Sequence, residues 1–532
     1  MTINNKNLKI ILFLVLSTFS ISINNFYGNI GVFPMDTLAF FDTAYSILLN
    51  KHPFKDIWIF SGPFVDYIQA VFFKIFGLSW FSYVLHASVF NLIITTTVFF
   101  ALNKNGLNIY LSFLYALSVA TLCYPVAGTP FAYQHAFVLS LISIFIFTLA
   151  IKTKFNLYWF LLPILMVSAF LSMQTPSVYI NLLIFFFSIF YFVKRGNKKN
   201  FIYFIIGSLS ILLLLILYFV IVKIPIKSFI VQYFLFPMTI GGNRIIGDDQ
   251  AFISLAGKIT FRGLVGHFKF INFFFIFLIA VTFLKYFKKT KLLLTKDEIL
   301  VNLLLILSTV AYIFHQLITA NQTFIFSLIP ILAGFVHIYL KKYYPKKIII
   351  QAIVLLVVIF ASVKYHSVYN NQRKFMDLQH ADLTKALDAS LIDKKLKNLK
   401  WISPSYIKNP EEEINLLKTT IEILKNEKRN KMVITHYQFF SSILEEDLNI
   451  PNRWYLHDNN NYPIENHKHY RFYKDLFNKN FKSNEIEVIY IVKSFPEEGI
   501  YIGNFEIYLD NVCFKNKEIN KILSIHEVEN CK

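Results

Sequence analysis

Long apolar runs separated by short polar connections fill residues 1–365 of the chain. A helix that crosses a bilayer needs roughly 20 predominantly apolar residues. Eleven runs reach that length once their flanking residues are included: 10–23, 80–102, 109–124, 131–151, 157–171, 178–193, 201–222, 270–284, 299–313, 324–340 and 348–363. The pattern therefore predicts a polytopic α-helical membrane protein with about 11 transmembrane helices.

The remaining residues, 366–532, form a more polar tail. Residues 411–428 carry apolar positions at helical spacing, and the β-branched runs 432–435 and 487–492 are typical of short buried strands. We therefore predict a small α/β domain. The predicted division is a membrane domain at 1–365, with long loops at 27–79 and 223–269, and a tail domain at 366–532.

Charge places these parts relative to the membrane. Only 16% of the residues are charged, against roughly 25% in an average soluble protein. The net charge of +20 comes from short clusters in alternate connections, such as Lys152 and Lys154, whereas the connections near 125–130 and 172–177 have no Lys or Arg. The positive-inside rule then puts the N-terminus on the cytoplasmic side of the cytoplasmic membrane and the tail on its outer side. This distribution argues against nucleic acid as a partner.

Two features of the termini stay open. The first apolar run is short and follows a basic start, as in a signal peptide, but Asn24 and Asn25 stand where small residues would mark cleavage, so a retained helix is favoured. Cys513 and Cys531 could form a disulfide if the tail is extracytoplasmic, although their distance in space cannot be read from the sequence.

The first long loop concentrates the candidate chemistry, because four aspartates follow the first apolar run. A carboxylate beside a bilayer costs free energy unless it is solvated or paired, so an unpaired one is a candidate for a functional role. The spacing predicts helices over 37–50 and 64–76. Asp36, at the start of the first, is either a helix cap or a catalytic base, and Asp56 is either a turn residue or catalytic. We expect Asp42 and Asp66 on solvated helix faces.

The segment HPFKDIWIFSGPFVDYIQAVFFKIFG, preceded by an acid just after the first apolar run, resembles the first loop of GT-C fold glycosyltransferases. It is most similar to the bacterial RgtA/B/C/D-like and protein O-mannosyltransferase-like group. The resemblance implies two in-plane helices in this loop, an extracytoplasmic tail and sugar transfer from a polyprenyl-phosphate carrier. It matches Asp36 to the catalytic base, Asp56 to the acid after a Pro-aromatic pair, and Gly62-Pro63 to the turn before the second helix.

The chain departs from that family pattern in two places. Thr37 stands where many relatives have a second acid, and residues 125–130 contain no acid, so that His135 is among the nearest polar groups. Both departures weaken the expectation of a two-carboxylate metal site, and a divalent metal cofactor stays open. Gln174 matches a Lys-Gln-type position of the family without its Lys.

The second long loop offers cations for a phosphate. Arg244 follows Gly241-Gly242-Asn243, where a backbone can approach a ligand closely, and Arg262 lies further along. The alternative is that these arginines pair with Asp248, Asp249 or lipid headgroups. With Gln174 and His135 they complete the predicted substrate-binding set.

These features predict an inverting glycosyltransferase of the cytoplasmic membrane. Its expected partners are a polyprenyl-phosphate sugar donor, a glycan, lipid or protein acceptor, and membrane lipids. Two alternatives are a transporter or flippase of a lipid-linked saccharide and a noncatalytic scaffold. A transporter would favour internal repeats and broken helices, and neither is evident in the sequence.

Overall fold

The computed structural model describes residues 5–246, 257, 259–287, 294–319, 324–495, 498–529 and 531. In these ranges every predicted apolar run coincides with a helix. The helices are α1 Asn5–Gly28, α5 Trp80–Lys104, α6 Ile109–Leu122, α7 Ala132–Thr153, α8 Asn156–Ser172, α9 Gln174–Arg195, α10 Lys198–Val222, α13 His267–Phe287, α14 Lys296–Ile318, α15 Leu328–Tyr343 and α16 Ile348–Tyr365. Nine helical segments in the described part are long and apolar enough to span a membrane, and α6 and α8 are shorter apolar helices. The predicted multi-pass membrane architecture is confirmed.

Helix ends follow local sequence signals. Asn108 accepts a hydrogen bond from the backbone N–H of Leu111, and Thr295 forms a capping box with Glu298. The side chains of α10 are mostly exposed although they are strongly apolar, as expected where a helix faces lipid. Helix α7, by contrast, is buried along nearly its whole length. It therefore lies inside the bundle, as does α15.

The first loop folds back as short helices: α2 Pro34–Thr37, α3 Phe41–Leu48 and α4 Phe64–Phe76. Helix α4 has the predicted bounds, whereas the predicted helix over 37–50 is interrupted. Leu38, Ala39 and Phe40 at the interruption are fully buried, and the Tyr83 hydroxyl donates to the carbonyl oxygen of Thr37 over 3.0 Å. Tertiary burial of these side chains outweighs the helical periodicity.

The second long loop is also largely helical where it is described. It contains α11 Ile226–Ile230, a π-helical turn Val231–Leu235, α12 Phe236–Ile246 and a second π-helical turn Arg262–Gly266. Gly241 and Gly242 therefore lie inside a helix and not in an open, glycine-rich turn.

The tail contains a four-stranded mixed sheet. Its strands, after the short antiparallel pair β1 Leu387–Asp388 and β2 Lys400–Trp401, are β3 Lys431–Thr435, β4 Val488–Val492, β5 Cys513–Glu518 and β6 Leu523–Glu529. The order is β3-β4-β6-β5, with β3 and β4 parallel and the other pairs antiparallel. Helices α17 Pro410–Asn426, α18 Phe440–Leu444, α19 Tyr470–Ser483 and α20 Gly503–Glu506 accompany it. Cys513 and Cys531 are joined by a disulfide.

The tail and the first loop share one hydrophobic core. Phe40 and Trp80 of the membrane domain belong to the same buried cluster as Trp401 and Phe440 of the tail. The buried guanidinium of Arg373 donates to the carbonyl oxygens of Ile30 and Pro125, each over 3.0 Å. The first loop, the 125–130 connection and the tail thus lie together on one side of the membrane, which we call the loop-and-tail side.

Candidate active site

Asp36 has an unusual environment for an aspartate. It lies in the short helix α2, whose cap residue is Phe33, so Asp36 is not a helix cap. Its side chain is half-buried, and its carboxylate has no hydrogen bond or ion pair with any part of the chain that the structure describes. Burial raises the pKa of Asp36 to about 6, although the nearby His436 opposes the shift. An accessible, unpartnered carboxylate with such a pKa suits a general base.

The tail contributes a carboxylate, that of Asp377, close enough to act on Asp36, and a lysine beside that carboxylate. The carboxylate of Asp377 adds to the rise in the pKa of Asp36, and the ammonium group of Lys374 lies near Asp377 in turn. Both residues are exposed and follow the end of α16 by about ten positions. Sequence reasoning missed them, although an acid and a base just beyond the last apolar run were a visible signal.

An apolar cavity of about 330 Å³ lies at the loop-and-tail side of the bundle. It contains Arg244 and Gln174, so the structure brings these two predicted substrate-binding residues together. The other wall residues are almost all apolar or aromatic: Phe60, Tyr133, Phe170, Met173, Thr175, Val178, Tyr179, Tyr233, Phe234, Pro237, Met238, Ile240, Gly241, Ile245, Ile318 and Thr319. A cavity with apolar walls that also contains the guanidinium of Arg244 suits a ligand with a hydrocarbon chain and an anionic group.

Gln174 fixes one wall of this cavity. Its amide nitrogen donates to the carbonyl oxygens of Phe60 over 2.7 Å and Tyr233 over 2.8 Å. Its Oε1 atom is buried and accepts no hydrogen bond from any described residue. Beside it, a Cβ atom at Gly62 would lie 1.6 Å from the carbonyl oxygen of Leu171, so only glycine permits this approach of the first loop to α8.

Trp454 of the tail connects the cavity to Asp36. Its indole N–H donates to the carbonyl oxygen of Met35 over 3.0 Å, and its ring lies 5.0 Å from that of Phe60, centroid to centroid. Met35 precedes Asp36, and Phe60 is a cavity wall. The candidate base is therefore tied through one tryptophan to the cavity that holds Arg244.

The expectation for Asp42 is wrong. Its side chain is 1% exposed and accepts hydrogen bonds from the backbone N–H groups of Ser441 over 3.0 Å and Ser442 over 2.9 Å. The Ser442 hydroxyl also donates to it over 2.6 Å. Burial raises the pKa of Asp42 to about 7 in spite of these bonds. Asp42 thus caps a helix of the tail from the first loop.

The expectation for Asp66 is wrong as well. Asp66 and Arg453 are both fully buried and form an ion pair with 2.5 Å between oxygen and nitrogen. Thr43 donates to the second carboxylate oxygen over 2.6 Å, and the guanidinium carbon of Arg453 lies 4.3 Å from the Phe40 ring centroid. Burial raises the pKa of Asp66, against the opposing charge of Arg453. This pair fastens the tail to the first loop.

Asp56 lies in a turn apart from the cavity. Its carboxylate accepts a hydrogen bond from the backbone N–H of His52 over 2.8 Å, and its backbone carbonyl accepts one from Asn480 over 2.7 Å. No described contact links it to Asp36. These bonds supply a structural role, and catalysis by Asp56 stays a prediction.

His135 lies in a buried chain of hydrogen bonds. One ring nitrogen bonds the Tyr124 hydroxyl, and the other lies 3.0 Å from a ring nitrogen of His86, which in turn bonds Gln69 over 2.9 Å. Both ring nitrogens of His135 are thus engaged within the protein, and substrate binding by it stays a prediction.

Several remaining expectations cannot be placed. The side chain of Arg262 and both Asp248 and Asp249 lie outside the described residues. Among the residues that are described, no group of three or more His, Cys, Asp or Glu side chains could hold a metal ion.

No family model matches the chain, and no curated protein matches it. Among solved structures it is similar to ArnT from Cupriavidus metallidurans bound to undecaprenyl phosphate. That match has a TM-score of 0.53 and 12% sequence identity, and it covers 97% of each chain. The Archaeoglobus fulgidus oligosaccharyltransferase in complex with Zn and sulfate matches with a TM-score of 0.48 and 12% identity, over 90% of this chain and 67% of that chain.

The match to ArnT extends over the helical bundle and the tail alike. At such low identity it shows the fold alone. The chain therefore has the fold of the GT-C glycosyltransferases, as the first-loop resemblance predicts.

Proposed function

We propose that this protein is a glycosyltransferase that moves a sugar from a polyprenyl-phosphate donor to an acceptor hydroxyl at the outer face of the cytoplasmic membrane. The proposal rests on the apolar cavity that holds Arg244, whose wall residue Phe60 contacts Trp454, the tryptophan hydrogen-bonded to Met35 beside Asp36. The GT-C fold supports it, since ArnT from Cupriavidus metallidurans, a solved structure similar to 97% of this chain, is bound to undecaprenyl phosphate.

The two ends of the donor call for different surroundings. A polyprenyl chain needs an apolar channel, which the aromatic and aliphatic cavity walls supply. Its phosphate needs a cation, and an arginine offers two parallel N–H donors to phosphate oxygens. Arg244 stands among the apolar side chains of the cavity and is the group we assign to the phosphate. We also assign Gln174, whose buried Oε1 atom has no hydrogen-bond partner among the described residues, to donor binding at the cavity wall.

Asp36 is the group we assign to the acceptor. In the proposed step its carboxylate removes the proton from an acceptor hydroxyl, and the oxygen attacks the anomeric carbon of the sugar. The bond from that carbon to the phosphate oxygen breaks, and polyprenyl phosphate leaves with its negative charge held by Arg244. A single displacement, with attack from the face opposite the departing phosphate, inverts the configuration of the anomeric carbon. A carboxylate without hydrogen-bond partners is suited to this, because no donor competes for its lone pairs.

Donor turnover by purified protein tests the proposal. Wild type in detergent is mixed with polyprenyl-phosphate sugars and a crude envelope extract as acceptor, and donor and product are followed by mass spectrometry. Asp36→Asn removes the base and nearly preserves shape. Asp382→Asn is a matched control, because Asp382 is an exposed tail carboxylate that bonds only its neighbour Thr384.

We expect wild type and Asp382→Asn to consume donor and Asp36→Asn to be slower by about 10²- to 10⁴-fold, the usual contribution of a general base. If no donor is consumed, while vesicles containing the protein carry a lipid-linked saccharide across the bilayer, the transporter alternative replaces the proposal. If the Asp36 variant turns over like wild type, another group is the base.

A further inference from the structure

Two lysines lie side by side at the loop-and-tail end of the bundle. Lys269 lies in the first turn of α13 and Lys364 in the last turn of α16, and the hydroxyl of Tyr365 donates to the carbonyl oxygen of His267 over 3.2 Å between the same two helix ends. The two ammonium nitrogens lie 5.4 Å and 5.7 Å from the centroid of one ring, that of Phe270, and are near enough to interact directly. We call Lys269 and Lys364 the lysine pair.

The pair has no counter-ion in the described ranges, whereas some other lysines of the protein have one. Lys342, Lys395 and Lys431 each have a glutamate oxygen within 3 Å, at 2.7, 2.6 and 2.8 Å respectively. Neither member of the lysine pair forms an ion pair with a described carboxylate, and both are exposed. Two adjacent ammonium groups repel each other, so this arrangement favours an anion that contacts both.

A row of packed aromatic rings lies next to the lysine pair. Phe270 lies 6.1 Å from Tyr365, Tyr365 stacks on Phe326 at 3.9 Å, and Phe326 lies 5.0 Å from Tyr369, all between ring centroids. A third ammonium group, that of Lys374, lies 5.9 Å from the Tyr369 ring. Aromatic rings beside lysines at the end of spanning helices are typical of the membrane interface, where lipid headgroups lie.

We propose that the lysine pair binds the phosphate of an anionic membrane lipid. The phosphate would bridge the two ammonium groups, and the start of the acyl chains would lie against Phe270 and the exposed apolar faces of α13 and α16. Phosphate is the anion that the headgroup region supplies in quantity, and basic pockets between helices recognise it. The site is distinct from the cavity of Arg244, and the inference does not depend on the proposed sugar transfer.

Lipid titration by native mass spectrometry tests this inference on the full-length protein in detergent. The probes are phosphatidylglycerol, which is anionic, and phosphatidylcholine, which has a neutral headgroup. The variant is the double substitution Lys269→Gln and Lys364→Gln. The matched control is Lys346→Gln with Lys347→Gln, which removes the same charge at the opposite end of α16.

We expect wild type and the control to prefer phosphatidylglycerol. The double variant should lose about 25-fold of that preference, from about fivefold for each lysine. Without lipid the double variant should melt no lower than wild type, because the substitution removes a repulsion. Equal binding of the two lipids by wild type, an unchanged preference in the double variant, or a lower lipid-free melting temperature would each overturn the inference. Displacement of the lipid by an equal concentration of glycerol phosphate would show that the site takes soluble phosphates instead.

Discussion

Asp66 and Asp36 belong to the same loop, and their surroundings are opposite. Asp66 is fully buried, paired with Arg453 and bonded to Thr43. Asp36 is half-buried, and its carboxylate forms no hydrogen bond or ion pair with a described residue. The first carboxylate is satisfied within the fold, whereas the second remains able to bond a ligand.

This difference distinguishes aspartates that stabilise the fold from an aspartate that is available for catalysis. A buried carboxylate persists only when its charge is compensated, and the compensation for Asp66 and Asp42 comes from the tail. A carboxylate that the fold leaves uncompensated costs stability, and such residues cluster at functional sites. Substitutions at these and neighbouring residues should therefore affect stability and turnover differently.

The largest expected effect is on stability and comes from Asp66→Ala. It leaves the Arg453 guanidinium buried without its counter-ion. Removing one partner of a buried ion pair lowers the free energy of unfolding by about 3–5 kcal/mol. Thermal unfolding of the purified variant should show a large drop in melting temperature. The control is the double variant Asp66→Leu with Arg453→Met, which removes both charges and should recover most of the loss. A double variant as unstable as the single one would contradict the assigned pairing.

Arg244→Gln should weaken donor binding. Loss of a charge-assisted hydrogen bond to phosphate predicts about a tenfold higher KM for the polyprenyl-phosphate sugar. The control is Lys227→Gln, because Lys227 is a cation of the same loop whose ammonium group lies 5.8 Å from the Phe472 ring centroid and not in the cavity. Equal effects of the two substitutions would show that general charge, and not the cavity, sets donor affinity.

Transfer should depend on pH through Asp36. Its pKa is raised to about 6 by burial, and a base must be deprotonated to act. Activity should therefore fall about tenfold per pH unit well below pH 6 and level off above about pH 7. Initial rates at saturating donor, from pH 4.5 to 8, would measure this. A profile that is flat across pH 6 would remove Asp36 from the proton transfer.

Asp42→Asn should have the smallest effect. Asparagine keeps one acceptor oxygen for the Ser441 and Ser442 donors, so the expected cost is about 1 kcal/mol of unfolding free energy. The folded-state pKa of Asp42 is raised from 3.8 to about 7, so its ionisation makes folding less favourable as the pH rises from about 4 to about 7. Denaturant unfolding across that range should show a smaller fall in stability for the variant than for wild type.

The helical architecture could be predicted because lipid imposes a simple rule on sequence. Every spanning helix must satisfy its own backbone in an apolar solvent, so each apolar run marks one helix. Helix α4, over residues 64–76, was equally visible because its periodicity and its Gly62-Pro63 start agree. The helix predicted over 37–50 failed at Leu38–Phe40, where burial against distant residues breaks a regular local pattern.

The candidate site could be predicted only in part. Asp36, Arg244 and Gln174 carry local signals, and the structure places the last two in one cavity. The roles of Asp42 and Asp66 depend on Ser441 and Arg453, which are 399 and 387 positions further along the chain. No local periodicity encodes such a partner. The same holds for Trp454, whose contact with Met35 exists only because the tail folds onto the loop.

The most direct test compares Asp36→Asn and Asp66→Asn in one preparation series, with donor turnover and thermal unfolding measured on each. We expect Asp36→Asn to melt no lower than wild type and to lose turnover by about 10²- to 10⁴-fold. We expect Asp66→Asn to melt markedly lower, and the fraction that is still folded to retain substantial turnover. An Asp36 variant with wild-type turnover, or one whose inactivity is matched by unfolding, would contradict the assignment of Asp36 as the base.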